Sequence, residues 1–158
     1  MAAKCANRHV FRSAELQPIQ IGVGVAGGAE AAIHATMRYL KLMPDNHILV
    51  KLDFSNEFNS IRRDLVLDSI ADQMPELCCF VNASCSSNPI LTFGSQVIHS
   101  KEGFQQGDPL SFLGFCDAIH PTLTSLNSDL QIGFIDDFSL SGEVSVVAED
   151  VHYSVLQK

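Results

Sequence analysis

The sequence predicts an α+β fold, an antiparallel sheet with helices packed on one face. Three observations carry the prediction. HILVKLDF, residues 47–54, is rich in branched apolar residues and reads as a buried strand. PILTF and QVIHS flank Gly94-Ser95, two short strands around a turn pair. LQIGFIDDFSLSG, residues 130–142, alternates apolar residues about two adjacent aspartates, the pattern of strand, tight turn and strand.

The remaining elements follow in order. Residues 1–16 show no period and are expected to form a loose leading segment. QPIQIGVGVAGG, residues 17–28, is expected to be an extended stretch closing in a glycine turn, and EAAIHATMRYLKL then has the composition of a helix. Ser60 is expected to cap a helix running to about Gln73, with Ile61, Leu65, Leu67 and Ile70 as its apolar stripe. Pro75 opens another helix, through about Cys85. After a loop from Lys101 to Gly107, Asp108 can accept the first amide protons of a helix in which Pro109 suits the first position. That helix is expected to reach about Leu126, with Pro121 inside it. Residues 143–158 begin a further element and are expected to be its truncated start.

Composition narrows the function. The 158 residues are 46% apolar and 18% charged, the range of a chain that buries a core rather than a disordered or collagen-like one. The net charge of −8 is uneven. Residues 1–52 hold six Lys or Arg against three Asp or Glu, and residues 53–158 hold four against fifteen. An acidic chain is a poor general binder of nucleic acid, so any nucleic-acid partner needs basic groups from elsewhere. The five cysteines, Cys5, Cys78, Cys79, Cys85 and Cys116, lack paired C-x-x-C spacing and read as reduced and structural. The six histidines show no ligand spacing, and His34, His99 and His120 are expected to be packing or surface residues. GVGVAGG has neither the spacing of a dinucleotide loop nor the Lys-Ser/Thr ending of a P-loop. No stretch is apolar for long enough to span a bilayer, and the N-terminus lacks the apolar core of a signal peptide, so an intracellular protein is expected.

Three stretches carry chemistry: KLDFSNEF at 51–58, EGFQQGDPLS at 102–111 and GFIDDFSL at 133–140. The first puts Asp53 at the end of a strand, and the third puts Asp136 and Asp137 at the tip of a hairpin. If those strands are neighbours, three carboxylates converge. Carboxylates that close repel one another unless a cation neutralises them. Magnesium, a hard ion that favours oxygen ligands, suits such a cluster. Two such ions about 3.5 to 4 Å apart can serve the attacking and leaving oxygens of one displacement.

The ordered series QIGVGVAGGAEAAIHA, LDFSNEFNSI, GFQQGDPLS and FIDDF resembles the reverse transcriptases of retrotransposons lacking long terminal repeats. The resemblance covers residues 17–142 and implies partial fingers and an incomplete polymerase palm. It implies that Asp53, Asp136 and Asp137 are catalytic and bind two Mg²⁺, with the Phe54 carbonyl as a further metal ligand. Phe58 resembles the aromatic gate beneath the incoming sugar, and Gln106 and Gly107 resemble the pair near the template base and incoming nucleotide. The implied partners are an RNA or DNA template, a primer and a deoxynucleoside triphosphate. Primer 3′-oxygen attack on the α-phosphate would release pyrophosphate.

The sequence departs from that family at Glu57, where alanine is common, at Phe134, where tyrosine is usual, and at Phe104 and the FLGF run at 112–115. Arg62 and Arg63 are expected to be solvated helix-face residues. The reading is a fragment with little activity unaided. The alternatives are a non-catalytic, decayed remnant that acts as an interaction surface, and a magnesium-dependent phosphotransfer domain unrelated to polymerases.

Overall fold

The computed structural model describes residues 16–54, 56–85, 90–100, 102–104 and 108–156. The chain forms two compact units. Among the described residues, one holds 56–118 and the other holds 16–54 together with 119–156.

The second unit is built on a three-stranded antiparallel sheet. Its strands are β1 (His47–Asp53), β4 (Leu130–Phe134) and β5 (Asp137–Glu143), in the order β1-β5-β4. β5 is therefore central, although it is last in sequence. Val50 lies opposite Leu140 and Leu52 opposite Phe138, so one face of the sheet gathers Ile48, Val50, Leu52, Phe138 and Leu140. Leu123 and Leu126, from the end of α5 (Pro109–Thr124) and the turn after it, pack there with Val147 of α6 (Val144–Leu156). Phe138 is 1% exposed and Leu140 and Val147 are fully buried. Each such side chain contributes about 1.5–3 kcal/mol on burial.

β1 departs from the buried strand that its composition predicts. Leu49, Lys51 and Asp53 are exposed, while Val50 and Leu52 are half-buried. The reason is its place at the sheet edge, where an antiparallel strand can cover one face and leave the other to water.

Helix α1 (Gly28–Leu42) forms as predicted, and its second half reaches the other face of the sheet, where the Ser141 hydroxyl lies 3.8 Å from Met43 Sδ. Residues 17–28 are not an extended stretch. Leu16 is helical, residues 17–19 form a turn, and Gln20 bridges to the sheet, parallel to Gly133.

The first unit is mainly helical. α2 is a single turn, Glu57–Ser60, followed by α3 (Arg63–Gln73) and α4 (Pro75–Cys85). Ser60 does not cap α3. Its hydroxyl donates back to the Asn56 carbonyl at 2.8 Å, and the extended backbone at Arg62 separates the two helices. The core stripe of α3 is Val66 and Ile70, with Leu65 45% exposed. The late start of the helix does not by itself choose this face. The packing of its neighbours does, including Gly114 of α5, where an added Cβ would lie 2.9 Å from Val66.

α4 has its predicted bounds. The predicted hairpin forms as β2 (Ile90–Phe93) and β3 (Gln96–His99), whose eight residues are all exposed. Asp108 caps α5 as expected, its Oδ1 accepting the Leu110 amide at 2.9 Å, and the helix ends at Thr124 rather than Leu126. Among the described residues, no helix is long and apolar enough to cross a membrane.

Candidate active site

β1 and β5 run antiparallel in a register that sets Asp53 opposite Asp137. Side chains directly opposite on neighbouring strands share a face, and like charges so placed repel. The structure answers with Lys51. Two residues before Asp53 on the same face, its Nζ lies 2.9 Å from Asp137 Oδ1. The hydrogen bond and charge of Asp137 raise the Lys51 ammonium above its ordinary pKa, with smaller contributions from Asp53 and Asp136. Asp53 is exposed, and Asp136 and Asp137 are half-buried.

Asp136 precedes Asp137 in the two-residue loop between β4 and β5. The first loop residue, Ile135, has φ 62. A β-branched side chain disfavours that left-handed conformation, which costs on the order of 1–3 kcal/mol and persists only where surrounding contacts impose it. Those contacts are visible. Gln20 Nε2 donates to the Ile135 carbonyl at 3.0 Å, and its Oε1 accepts the Ile135 amide at 3.1 Å. Lys51 is among the cations nearest the aspartates in sequence, whereas nothing in the sequence pattern singles out Gln20 for this neighbourhood.

The other predicted residues fare differently. Phe54 follows β1 and packs against the apolar core of the second unit. Phe58, in the first unit, is 6% exposed, with its ring 5.2 Å from Phe112 at a near-perpendicular 82° and 5.1 Å from Phe115. That is a core position, and the irregular FLGF run supplies its partners. Gln106 and Gly107 lie outside the described residues, as does the Glu57 side chain.

Arg63 is not a solvated helix-face residue. Its guanidinium donates to the carbonyls of Ser100, Glu102 and Gly103 and to the Ser100 hydroxyl, at 2.7–3.1 Å. Arg62 does stay at the surface, in an ion pair with Asp64.

No protein-family model matches the chain, and no curated protein does. Solved structures do match. A telomerase from Candida tropicalis in complex with a TWJ fragment of telomeric RNA aligns over 98% of this chain at 14% identity, with a TM-score of 0.61. An apo telomerase from the same organism, truncated from its C-terminal domain, aligns over 96% at 15% identity, with a TM-score of 0.50. The fold is reverse-transcriptase-like. The chain spans about a third of the length of these structures, 35% of one and 29% of the other. An α+β arrangement of small antiparallel sheets with packed helices is thus shared with a reverse-transcriptase-related enzyme.

Proposed function

We propose that this chain carries the metal-binding centre of an RNA-directed DNA polymerase, the reverse transcriptase of a retrotransposon lacking long terminal repeats. The observation that supports the reading most is the register pairing of Asp53 with Asp137, with Asp136 adjacent in a strained turn. The fold shared with telomerase supports the polymerase class, and the RNA in one of those structures agrees with a nucleic-acid partner. Template, primer and deoxynucleoside triphosphate are the proposed partners.

The donor set suits Mg²⁺ in kind, because carboxylate oxygens are hard ligands. The Lys51 ammonium against Asp137 already supplies the positive complement that such oxygens require. Asp53, Asp136, Asp137 and the Phe54 carbonyl would hold the metal, which when bound would polarise the phosphate and favour the attacking primer oxygen. The chain's own contribution is positional. The sheet register sets Asp53 opposite Asp137, Asp136 precedes Asp137 in the turn, and Lys51 offsets the charge of Asp137 until it is displaced. By the resemblance, sugar selection is proposed for Phe58, whose ring is packed here against Phe112 and Phe115, and template and nucleotide binding for Gln106 and Gly107.

One observation favours a second reading, a non-catalytic remnant. Among the described residues, no three His, Cys, Asp or Glu side chains are gathered closely enough to hold a metal ion in common. Titration with Mn²⁺, followed by electron paramagnetic resonance, decides between the two. Under the polymerase reading the chain binds Mn²⁺ and Asp53→Asn abolishes the binding. Equal behaviour of both proteins selects the remnant. Primer extension on an RNA template then measures how much synthesis the chain supports, with little expected.

A further inference from the structure

The turn that carries Asp136 and Asp137 is gripped by a side chain 115 positions earlier in the sequence. Gln20 is fully buried. A buried amide is costly unless both its functions are used, and here both close on one residue: Nε2 donates to the Ile135 carbonyl and Oε1 accepts from the Ile135 amide. The arrangement imitates strand pairing at a place where the sheet has turned and no strand partner exists. Ile135 immediately precedes the aspartate pair and holds φ 62.

The backbone on either side is built for the same approach. Ile21 donates to the Gly133 carbonyl and Gly133 to the Ile19 carbonyl, both at 2.8 Å. A Cβ at Gly133 would lie 2.8 Å from the Gln20 amide carbon and nitrogen, and one at Gly22 would lie 2.7 Å from the Ile135 nitrogen. At Gly22 a side chain would meet backbone atoms, and at Gly133 it would push the Gln20 amide out of its place. The segment and the hairpin are fitted to one another around the Gln20 amide.

We propose that Gln20 is the positioning residue of the centre: its amide clamps the Ile135 backbone and thereby fixes the start of β5, where Asp137 stands opposite Asp53. The clamp is independent of any metal, and its part in catalysis rests on the polymerase reading above. Leucine at position 20 would fill similar volume without either hydrogen bond, and glutamate would keep the acceptor while losing the amide donor.

The test is amide hydrogen exchange across the whole chain in wild type, Gln20→Leu and Gln20→Glu, paired with Mn²⁺ titration of each. Gln20→Leu is expected to speed exchange about tenfold or more at residues 134–137, with α6 unchanged. Gln20→Glu is expected to fall between Gln20→Leu and wild type at the Ile135 amide, and Mn²⁺ affinity is expected to fall in the same order. Unchanged exchange at the hairpin overturns the proposal, as does an equal increase across the whole unit, which marks an ordinary core residue. If Gln20→Leu does not fold, Gln20→Glu alone decides by the same comparison of hairpin with α6. Hairpin-specific loosening with intact Mn²⁺ binding overturns the positioning role. Hairpin-specific loosening in a wild type that binds no Mn²⁺ sinks the polymerase reading and leaves the clamp standing.

Discussion

Asp53 and Asp137 face each other across neighbouring antiparallel strands, and the one cation bonded to them among the described residues is Lys51, 2.9 Å from Asp137. Two carboxylates in register would weaken any sheet edge. The ion pair of Lys51 with Asp137 offsets one of the two charges, which eases the pair without a divalent ion and makes Lys51 a competitor for one.

Lys51→Met should therefore strengthen Mn²⁺ binding at the centre while lowering stability in the absence of divalent ions. The pH dependence has a definite sign. Asp137 raises the folded-state pKa of Lys51, so the ion pair stabilises fully below the unfolded lysine value, about 10.4. Its contribution is lost as the pH rises through the higher folded value. Urea midpoints of wild type and Lys51→Met should differ near neutrality and converge at strongly alkaline pH. A constant gap would assign the difference to packing of the lysine stem.

Leu140→Ala tests the core under the sheet. Leu140 is fully buried on central β5, opposite Val50, and packs with Leu123, Phe138 and Val147. The expected loss is about 2–5 kcal/mol, the transfer term plus the cavity, read from chemical denaturation followed by circular dichroism. A loss below 1 kcal/mol would mean that the site collapses freely.

Arg63→Ala should release the loop at 100–103. The guanidinium there reaches four oxygens in a fixed fork, a pattern that a lysine ammonium cannot reproduce. Limited proteolysis should cut near residues 100–104 faster in both Arg63→Ala and Arg63→Lys than in wild type. Full rescue by lysine would reduce the contact to charge alone.

Cys85 should be a slow thiol. Burial pushes its pKa up, with Arg63 opposing and Asp108 adding to the rise. Since the thiolate is the reactive form, alkylation by iodoacetamide near pH 8 should label exposed Cys79 well before Cys85. Equal rates measured by mass spectrometry would contradict the burial.

Much of the fold was legible because its signals are local. The bounds of α4, the two hairpins and the Asp108 cap follow from proline at a helix start, turn residues between apolar runs and a carboxylate beside orphan amides. The misreadings share one cause. Ser60 has the chemistry of a cap and Leu65 the hydrophobicity of a core residue, but a preceding single helical turn and the face chosen by packing gave the first a different partner and left the second exposed. Arg63 was misjudged likewise, since its acceptors lie 37–40 residues away.

The aspartates themselves, their strand ends and the hairpin that bears two of them were determined by residue order, because periodicity and turn chemistry act between near neighbours. That Asp53 meets Asp137, that Lys51 pairs with Asp137, and that Gln20 holds Ile135 at a positive φ were decided only by the insertion of β5 between β1 and β4. Strand register and hydrogen bonds across some hundred residues leave no local pattern, since they depend on which surfaces pack together.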